Sequence, residues 1–257
     1  MLDFLASVGR IFIHFLEATG RLTLFTVVSV SHCFRPPFYP RLIGRQLIDM
    51  GFYSLPVVGL TALFTGMVLA LQAHTGFSFA AETGVAIIVV LSVTRELGPV
   101  IAGLMVAGRI GAAIAAEIGT MRVTDQIDAL STLSTNPYKY LVVPRLIAGT
   151  IALPCLVFIA DVIGVFGGFL VGTYSLDYNP NSFLSVMWDN LSTDDVVSGL
   201  VKSAVFGFIV ALLGCYHGYH SRGGAQGVGA ATTYAVVSAS IMILLSDYLL
   251  TAIFFSS

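Results

Sequence analysis

Five long apolar stretches, separated by short polar segments, dominate the pattern of this 257-residue chain. They fall at about 50–73, 84–108, 144–173, 196–217 and 229–254. Each is close to the roughly 20 residues that an α-helix needs to cross a hydrocarbon core of about 30 Å. The pattern therefore predicts an all-α integral membrane protein with five transmembrane helices, and the chain is too short to add a folded soluble domain.

The first 34 residues follow a different pattern, in which polar side chains recur at alternating steps of four and three: Asp3, Ser7, Arg10, His14, Glu17 and Arg21. This spacing places all six on one face of a helix, with apolar side chains on the others. Such a helix is typical of one that lies in the membrane interface, although a helix that packs on a partner protein has the same pattern. Arg35-Pro36-Pro37 is expected to end it. Residues 1–34 are thus predicted to form an interfacial amphipathic helix and residues 35–257 the membrane domain.

Composition agrees with the membrane assignment. The chain is 56% hydrophobic and 10% charged, whereas soluble domains carry about 25% charged residues. The N-terminus lacks the compact apolar core and cleavage site of a signal peptide. Cys33, Cys155 and Cys215 are odd in number and lie in or beside apolar runs, which indicates reduced, packed thiols and no disulfide framework.

Lysine and arginine placement predicts the orientation. The segments near 74–83 and 174–195 contain neither residue, and only Arg95 and Lys202 fall within spans. With the N-terminus in the cytoplasm, all the other basic residues face inside: Arg10, Arg21, Arg35, Arg41, Arg45, Arg109, Arg122, Lys139, Arg145 and Arg222. We therefore expect a cytoplasmic N-terminus and a periplasmic C-terminus.

Small residues recur every fourth position in three of the spans. The ladders are Gly103, Ala107, Gly111, Ala115 and Gly119, then Gly164, Gly168 and Gly172, and then Gly207 and Ala211. This spacing lets helix backbones approach closely in a membrane. It predicts packing seams within the subunit or across a dimer rather than ligand contacts.

Charged residues inside the spans are costly, roughly 2.5–3.5 kcal/mol each on insertion scales, so partners are expected. At 1.5 Å per residue, Arg95 and Asp161 lie about 16 and 18 Å below the outer ends of their spans, and Lys202 and Asp247 about 9 and 10 Å below theirs. Depth therefore predicts two pairs, Arg95 with Asp161 and Lys202 with Asp247, and leaves Glu96 without an obvious partner. The pairs either fix helix packing or form the polar lining of a cavity for a charged headgroup.

The sequence offers no catalytic centre. No G-x-x-x-x-G-K-[ST] motif occurs, because Lys139 and Lys202 follow Tyr138 and Val201. Any use of ATP must therefore come from another subunit. Cys215, His217 and His220 have a spacing that metal ligands use, but without a second cluster we read them as ordinary interfacial side chains and expect no metal site.

Residues 92–130, SVTRELGPVIAGLMVAGRIGAAIAAEIGTMRVTDQIDAL, closely resemble the signature region of the MlaE (YrbE) permease family. The similarity continues through TNPYKYLVVPRLIAGTIALP at 135–154 and KSAVFGFIVALLGCYHGY at 202–219. These permeases are the membrane subunits of lipid-transporting ABC systems that work with MCE-domain proteins. The resemblance implies an interfacial helix, five spans and a homodimeric permease in the bacterial inner membrane.

The resemblance also implies partners. A separate ABC ATPase would bind ATP, which is no cofactor of this chain, and would dock on a cytoplasmic coupling helix at about 117–134. That helix carries Glu117, Arg122, Asp125 and Asp128. A hexamer of MCE proteins would cover the outer face, and in some members a STAS-domain protein binds the ATPase. No nucleic-acid partner is expected.

The substrate implied by the resemblance is phospholipid, held in an outward-open cavity between the two halves of the dimer. Apolar residues Met67, Leu71 and Phe77 would contact its acyl chains. The family's intramembrane polar residues correspond to Arg95, Glu96, Lys202 and Asp247, with Asp161 as a further candidate. Transport direction, the lipid species and the particular MCE partner are left open.

Two other classes of function remain compatible with the residues. A secondary transporter would use Arg95, Glu96, Asp161 and Asp247 as a proton or ion relay, but it predicts internal repeats, and this five-span chain has no convincing halves. A membrane scaffold would use the charges for assembly alone. ATP-dependent lipid movement with a partner ATPase separates the permease from both alternatives, and a requirement for a pH gradient favours the relay.

Overall fold

The computed structural model describes residues 2–76 and 82–255, and in these ranges helices are the only regular secondary structure. Within those ranges, five helical segments are long and apolar enough to cross a membrane: Pro40–Gly76, Thr83–Val123, Tyr138–Tyr174, Thr193–Tyr219 and Gly224–Phe254. The predicted number of spans and the all-α class are therefore confirmed. Each segment extends beyond its predicted range, because hydropathy marks only the apolar part whereas the helix continues through the polar residues that flank it.

Short non-α turns interrupt the spans and divide them into several helices. The helices are α1 (Leu2–Cys33), α2 (Pro40–Met50), α3 (Leu55–Gly76), α4 (Glu82–Ser92), α5 (Gly98–Val106), α6 (Ala112–Val123), α7 (Gln126–Thr132), α8 (Val143–Tyr174), α9 (Pro180–Asn190), α10 (Thr193–Tyr219) and α11 (Gly224–Phe255). The turns are one 3₁₀ turn, Phe52–Ser54, and three π-helical turns, Val93–Leu97, Ala107–Gly111 and Tyr138–Val142.

Helix α8 is central, packed on one side by α3 and on another by α10, which also contacts α11 and α6. Glycines set these approaches. A Cβ on Gly66 would overlap the carbonyl oxygen of Gly164, and one on Gly149 would lie 2.7 Å from that of Gly207. The predicted ladders through Gly164 and Gly207 are thus confirmed as packing seams, and they lie within the subunit.

The N-terminal helix α1 ends at Cys33, directly before Arg35-Pro36-Pro37. Its Phe25 is buried in an aromatic cluster, with ring centroids 5.4 Å from Tyr138 and 5.5 Å from Tyr216. This cluster holds the C-terminal half of α1 against α8 and α10. Whether the helix lies in the plane of the membrane stays a prediction.

The segment 174–195, which joins the third and fourth predicted spans, contains the helix α9. The Asn179 side chain caps it by accepting hydrogen bonds from the backbone of Asn181 and Ser182, and Pro180 occupies the first turn, where its missing N–H costs nothing. Phe183 and Met187 are buried against α4 and α8. The capping signals in Asn179-Pro180 thus add a short helix to the segment that joins the third and fourth spans.

The single helix expected at 117–134 is divided into two helices in the structure. The chain turns at Thr124 and Asp125, where Asp125 adopts a left-handed conformation with φ of 57°. The segment therefore consists of the end of α6 followed by the short α7. Ile127, only 1% exposed, anchors α7 to the core.

Candidate functional site

The charged pair Arg95–Glu96 lies in a π-helical turn that Pro99 helps to define. Gly98 donates its backbone N–H to the carbonyl of Val93, five residues back. Pro99 has no N–H to offer to the carbonyl of Arg95, four residues back. π-helical turns are often found at functional sites, and here the turn directs a backbone carbonyl toward α10.

Lys202, on α10, occupies the centre of a buried polar cluster and is 0% exposed. Its ammonium group donates hydrogen bonds to the Arg95 carbonyl (3.1 Å), to Glu96 Oε2 (2.8 Å) and to Thr251 Oγ1 (2.7 Å). These three acceptors match the three N–H groups of an ammonium ion. Asp247 Oδ1 completes the surroundings as an ion-pair partner at 3.2 Å.

The predicted pair Lys202–Asp247 is confirmed, and the expectation that Glu96 has no partner was wrong. Glu96 forms an ion pair with Lys202 and also accepts from Thr251 Oγ1 at 3.2 Å. The cluster thus joins two carboxylates to one ammonium ion. Asp247 Oδ1 is buried and accepts no hydrogen bond from any residue that the structure describes.

Arg95 does not pair with Asp161, contrary to the depth prediction. Its Nε lies 2.6 Å from Oδ1 of Asp195, which is 1% exposed and belongs to the first turn of α10. Asp195 also forms a capping box, since Oδ2 accepts from the Ser192 N–H while Ser192 Oγ accepts from the Asp195 N–H. The ion pair therefore ties the π-turn to the N-terminal end of α10.

Asp161 is buried on the other side of the π-turn. Its Oδ1 accepts no hydrogen bond within residues 2–76 and 82–255 and lies where a Cβ on Gly98 would be. Depth arithmetic failed for this residue because equal depth says nothing of rotation about the helix axis. The absent side chain of Gly98 is what makes room for the carboxyl group.

A groove lies between α3 and Leu97, the last residue of the π-turn. It has a volume of about 640 Å³ and is lined by Thr61, Phe64, Thr65, Val68, Leu69, Gln72 and Leu97. Leu97 directly follows Glu96 in the chain. The walls are largely apolar, with threonine and glutamine as polar groups. The volume is in the usual range of about 300–1,000 Å³ for small-molecule sites.

Two of the three apolar residues that were predicted to contact substrate, Met67 and Leu71, are not part of this lining. Met67 packs against the core cluster that contains Ala70 and Val89, and Leu71 is exposed on the outer face of α3. Phe77 lies outside the described residues. The substrate contacts that we assigned to these residues stay predictions.

The four candidate coupling residues do not form one cluster. Glu117 pairs with the buried Arg145 at 2.7 Å. Arg122 Nη1 donates to Asp128 Oδ1 at 2.7 Å, which links the end of α6 to α7. Asp125 is exposed at the turn between these helices. Their role in coupling stays a prediction.

Sequence reasoning missed Asp195 and Thr251 as members of the site. The Ser192-x-x-Asp195 pattern before an apolar run is a capping-box signal, and it would have moved Asp195 from the loop into the first turn of α10. No comparable signal marks Thr251, whose single hydroxyl proton is shared between Glu96 and the Asp247 carbonyl oxygen of its own helix, 2.8 Å away.

Fold and site together define an all-α, five-span membrane protein with ion pairs buried between its spans and a groove along α3. The family model described as Permease MlaE matches residues 43–253. The chain therefore belongs to the MlaE permease family, as its motifs indicated.

Curated relatives cover almost the whole chain. A probable ABC transporter permease protein of Rickettsia felis is 59% identical over 256 residues, 99% of each chain. The intermembrane phospholipid transport system permease protein MlaE of Haemophilus influenzae is 37% identical over 261 residues, 100% of this chain and 99% of the relative. A chloroplastic protein of Arabidopsis thaliana, TRIGALACTOSYLDIACYLGLYCEROL 1, is 37% identical over 212 residues, 82% of this chain and 61% of its own length.

Proposed function

We propose that this chain is the membrane subunit of an ABC transporter that moves phospholipid between the bacterial inner membrane and an MCE-domain protein on the outer face. The observation that carries the proposal is the largely apolar groove along α3, to which Leu97 of the π-turn also contributes. A phospholipid has apolar chains and a polar headgroup, and the groove offers apolar walls for the first and the side chains of Thr61, Thr65 and Gln72 for the second. The name of the Haemophilus relative supports the same substrate.

A second copy of the chain would complete the site. The outward faces of α3 and α11 carry exposed apolar side chains, among them Phe64 and Val68 on the first and Ile241, Leu245 and Tyr248 on the second. Only 11% of the α11 span is buried within the subunit. A homodimer formed through these faces would enclose the two grooves in one cavity between the halves.

The energy for transport would come from a separate ATPase subunit that docks on the turn between α6 and α7. This turn joins the second span to the third, at the end of the domain that we predict to be cytoplasmic. Closure of the ATPase pair on ATP would push the α6–α7 turn. The second span runs without a loop from the Val93–Leu97 π-turn through α5 to α6. A displacement of the α6–α7 turn would therefore also move the Arg95–Asp195 and Lys202 contacts, and the groove would narrow.

The remaining partners follow from the same orientation. A hexamer of MCE proteins would cover the outer face, near α9 and the start of α10, and receive or deliver the lipid. A STAS-domain protein would bind the ATPase rather than this chain. ATP would be bound by the ATPase alone.

Reconstitution tests the proposal. The chain, its ATPase and its MCE protein are placed in proteoliposomes with a fluorescent phospholipid, and transfer of the lipid to or from the MCE protein is followed with and without ATP. We expect transfer that requires ATP hydrolysis, in one direction. A matched preparation carries an ATPase whose catalytic glutamate is replaced.

Two results would reject the proposal. Lipid movement that needs a pH gradient but no ATP would identify a secondary transporter that uses the buried charges as a relay. A chain that binds neither ATPase nor lipid under mild detergent conditions would be a membrane scaffold.

A further inference from the structure

A polar pocket lies at the opposite end of the membrane domain from the groove. It has a volume of about 340 Å³ between α2, α6 and the start of α8. The charged and polar residues of its lining are Arg45, Gln46, Asp49, Glu117, Tyr140 and Arg145. The first span begins here, the second ends here and the third begins here, so this α2–α6 pocket lies at the membrane–water boundary.

Arg145 is the strongest sign that the α2–α6 pocket binds something. It is only 4% exposed, and its Nη1 donates to the Leu141 carbonyl at 2.7 Å while Nη2 pairs with Glu117. Its Nε is buried and has no hydrogen-bond partner among the described residues. Buried polar groups are nearly always paired, and an unpaired donor on a charged group is especially costly.

The remaining charges of the pocket indicate the kind of ligand. Arg45 is mostly exposed, and its Nε is 3.9 Å from Asp49 Oδ2, which is a loose contact. Guanidinium groups suit phosphate oxygens because their N–H groups form a planar fork. Two guanidinium groups and two carboxylates leave no net charge, so the pocket matches a ligand that carries one phosphate and one cationic group.

We propose that the α2–α6 pocket binds the headgroup of a zwitterionic phospholipid from the leaflet at this end of the protein. The phosphate would accept from Arg145 Nε and from Arg45, and the Tyr140 hydroxyl lies in the same wall. The terminal ammonium group would face Glu117 and Asp49. Leu42 and Met121, also in the lining, provide apolar contact for the glycerol end. Binding at this pocket does not depend on transport. A failed transport assay would therefore not reject this site, and absence of binding here would not reject the proposed transport function.

Photo-crosslinking tests the site in the full-length protein. The purified chain is incorporated into nanodiscs with phosphatidylethanolamine that carries a diazirine close to the glycerol backbone, and labelled peptides are mapped by mass spectrometry. We expect labels within residues 42–49, 117–121 and 140–145. Arg45→Ala is expected to weaken this labelling about tenfold, the loss of roughly one charge-assisted hydrogen bond.

Matched variants keep the test decisive. Arg41→Ala removes an exposed arginine one turn earlier on α2 that does not line the pocket, and it should label like the wild type. Arg145→Lys keeps the charge beside Glu117 but removes Nε, and it should weaken labelling as Arg45→Ala does. Since Arg45 is exposed, its replacement tests the site even if Arg145→Lys fails to fold.

Four results would overturn the proposal. Labelling that is unchanged in Arg45→Ala and in folded Arg145→Lys would exclude a headgroup site. Competition by millimolar inorganic phosphate as strong as that by unlabelled phosphatidylethanolamine would indicate a site for free phosphate. Loss of labelling when the ATPase is bound would show that a protein partner occupies the pocket. Stronger labelling by phosphatidylglycerol that carries the same diazirine would contradict the proposal, because that lipid has no cationic group to face Glu117 and Asp49.

Discussion

The ammonium group of Lys202 donates a hydrogen bond of 3.1 Å to the backbone carbonyl of Arg95. In a regular helix that carbonyl would accept from the residue four positions later, which here is Pro99 and has no N–H. A proline in the second span thus creates an acceptor for a lysine in the fourth span. The break in one helix and the buried charge on another are parts of one structure.

Replacing Lys202 by methionine is expected to destabilise the protein strongly. Methionine has a similar length but leaves Glu96 and Asp247 as two carboxylates without a cation. Breaking a buried ion pair by removing one partner costs about 3–5 kcal/mol. We expect Tm in detergent to fall by at least about 6 °C, at about 2 °C per kcal/mol.

Lys139→Met is the control, because Lys139 is the other lysine of the chain and its Nζ donates to the Pro36 carbonyl in an exposed position. We expect it to change Tm little. Glu96→Gln in the Lys202→Met background should recover part of the loss, since it removes one uncompensated carboxylate. Equal Tm values for Lys202→Met and wild type would contradict this account of the cluster.

The Arg95–Asp195 ion pair is expected to couple the π-turn energetically to α10. Arg95→Met and Asp195→Asn each break the pair, and asparagine keeps an oxygen that can accept from the Ser192 N–H. A double-mutant cycle on unfolding free energies in mixed micelles should give a coupling energy between about 0.5 and 3 kcal/mol, as for other residues in direct contact.

The second cycle combines Arg95→Met with Asp161→Asn, the pair that depth had predicted. Because the carboxyl group of Asp161 lies against Gly98 and forms no ion pair with Arg95, we expect a coupling energy within about 0.5 kcal/mol of zero. A larger coupling for Arg95 and Asp161 than for Arg95 and Asp195 would mean that the observed pairing is wrong.

Gly98 is expected to be sensitive to the smallest enlargement. A Cβ at this position would overlap Asp161 Oδ1 and lie 2.8 Å from the carbonyl of Val93. Overpacking of this kind typically costs about 1–3 kcal/mol, so Gly98→Ala should lower Tm. Gly108→Ala, where a Cβ would meet nothing within 4 Å, serves as the control.

Combining Gly98→Ala with Asp161→Ala separates the two contacts. Without the carboxyl group, the alanine at 98 should cost less than in the wild type, although the contact with the Val93 carbonyl remains. The cost is measured as the difference in Tm within each background. An equal cost in both backgrounds would show that Asp161 does not determine the requirement for glycine.

Much of the fold was predictable because hydropathy follows directly from the solvent. A span must be apolar over the thickness of the bilayer, so five apolar stretches gave five spans. Depth along a helix is also fixed by the rise per residue, which is why Lys202 and Asp247 could be paired. Rotation about the helix axis is not fixed in this way, and Arg95 was therefore paired with the wrong aspartate.

The π-turn explains why rotation was especially hard to predict here. Each such turn spaces its hydrogen bond over five residues instead of four, so the helix after Val93–Leu97 is out of phase with the helix before it. The sequence marks this only through Gly98-Pro99. The α9 helix and the start of α10 had clearer signals, in Asn179-Pro180 and in Ser192-x-x-Asp195, which hydropathy does not use.

Charge reversal at the α6–α7 turn is expected to weaken binding of the ATPase without unfolding the membrane domain. Asp125 is the better position for this test, because Asp128 is held by Arg122 and its reversal would also break that contact. Asp125 is exposed, so its reversal removes no buried side chain, and lysine at this left-handed position adds local backbone strain of about 1–3 kcal/mol. We expect Asp125→Lys to reduce co-purification of the ATPase about tenfold, the equivalent of about 1.4 kcal/mol of binding free energy, with Tm lowered by this strain alone.

Asp177→Lys provides a matched control, since Asp177 is also exposed and also adopts a left-handed conformation, with φ of 54° against 57° for Asp125. It follows α8, at the other end of the membrane domain. The same backbone strain and the same change of charge are therefore introduced where no ATPase is expected to dock. Full co-purification with Asp125→Lys would place the ATPase elsewhere, and equal losses for both variants would show that net charge rather than the α6–α7 turn determines binding.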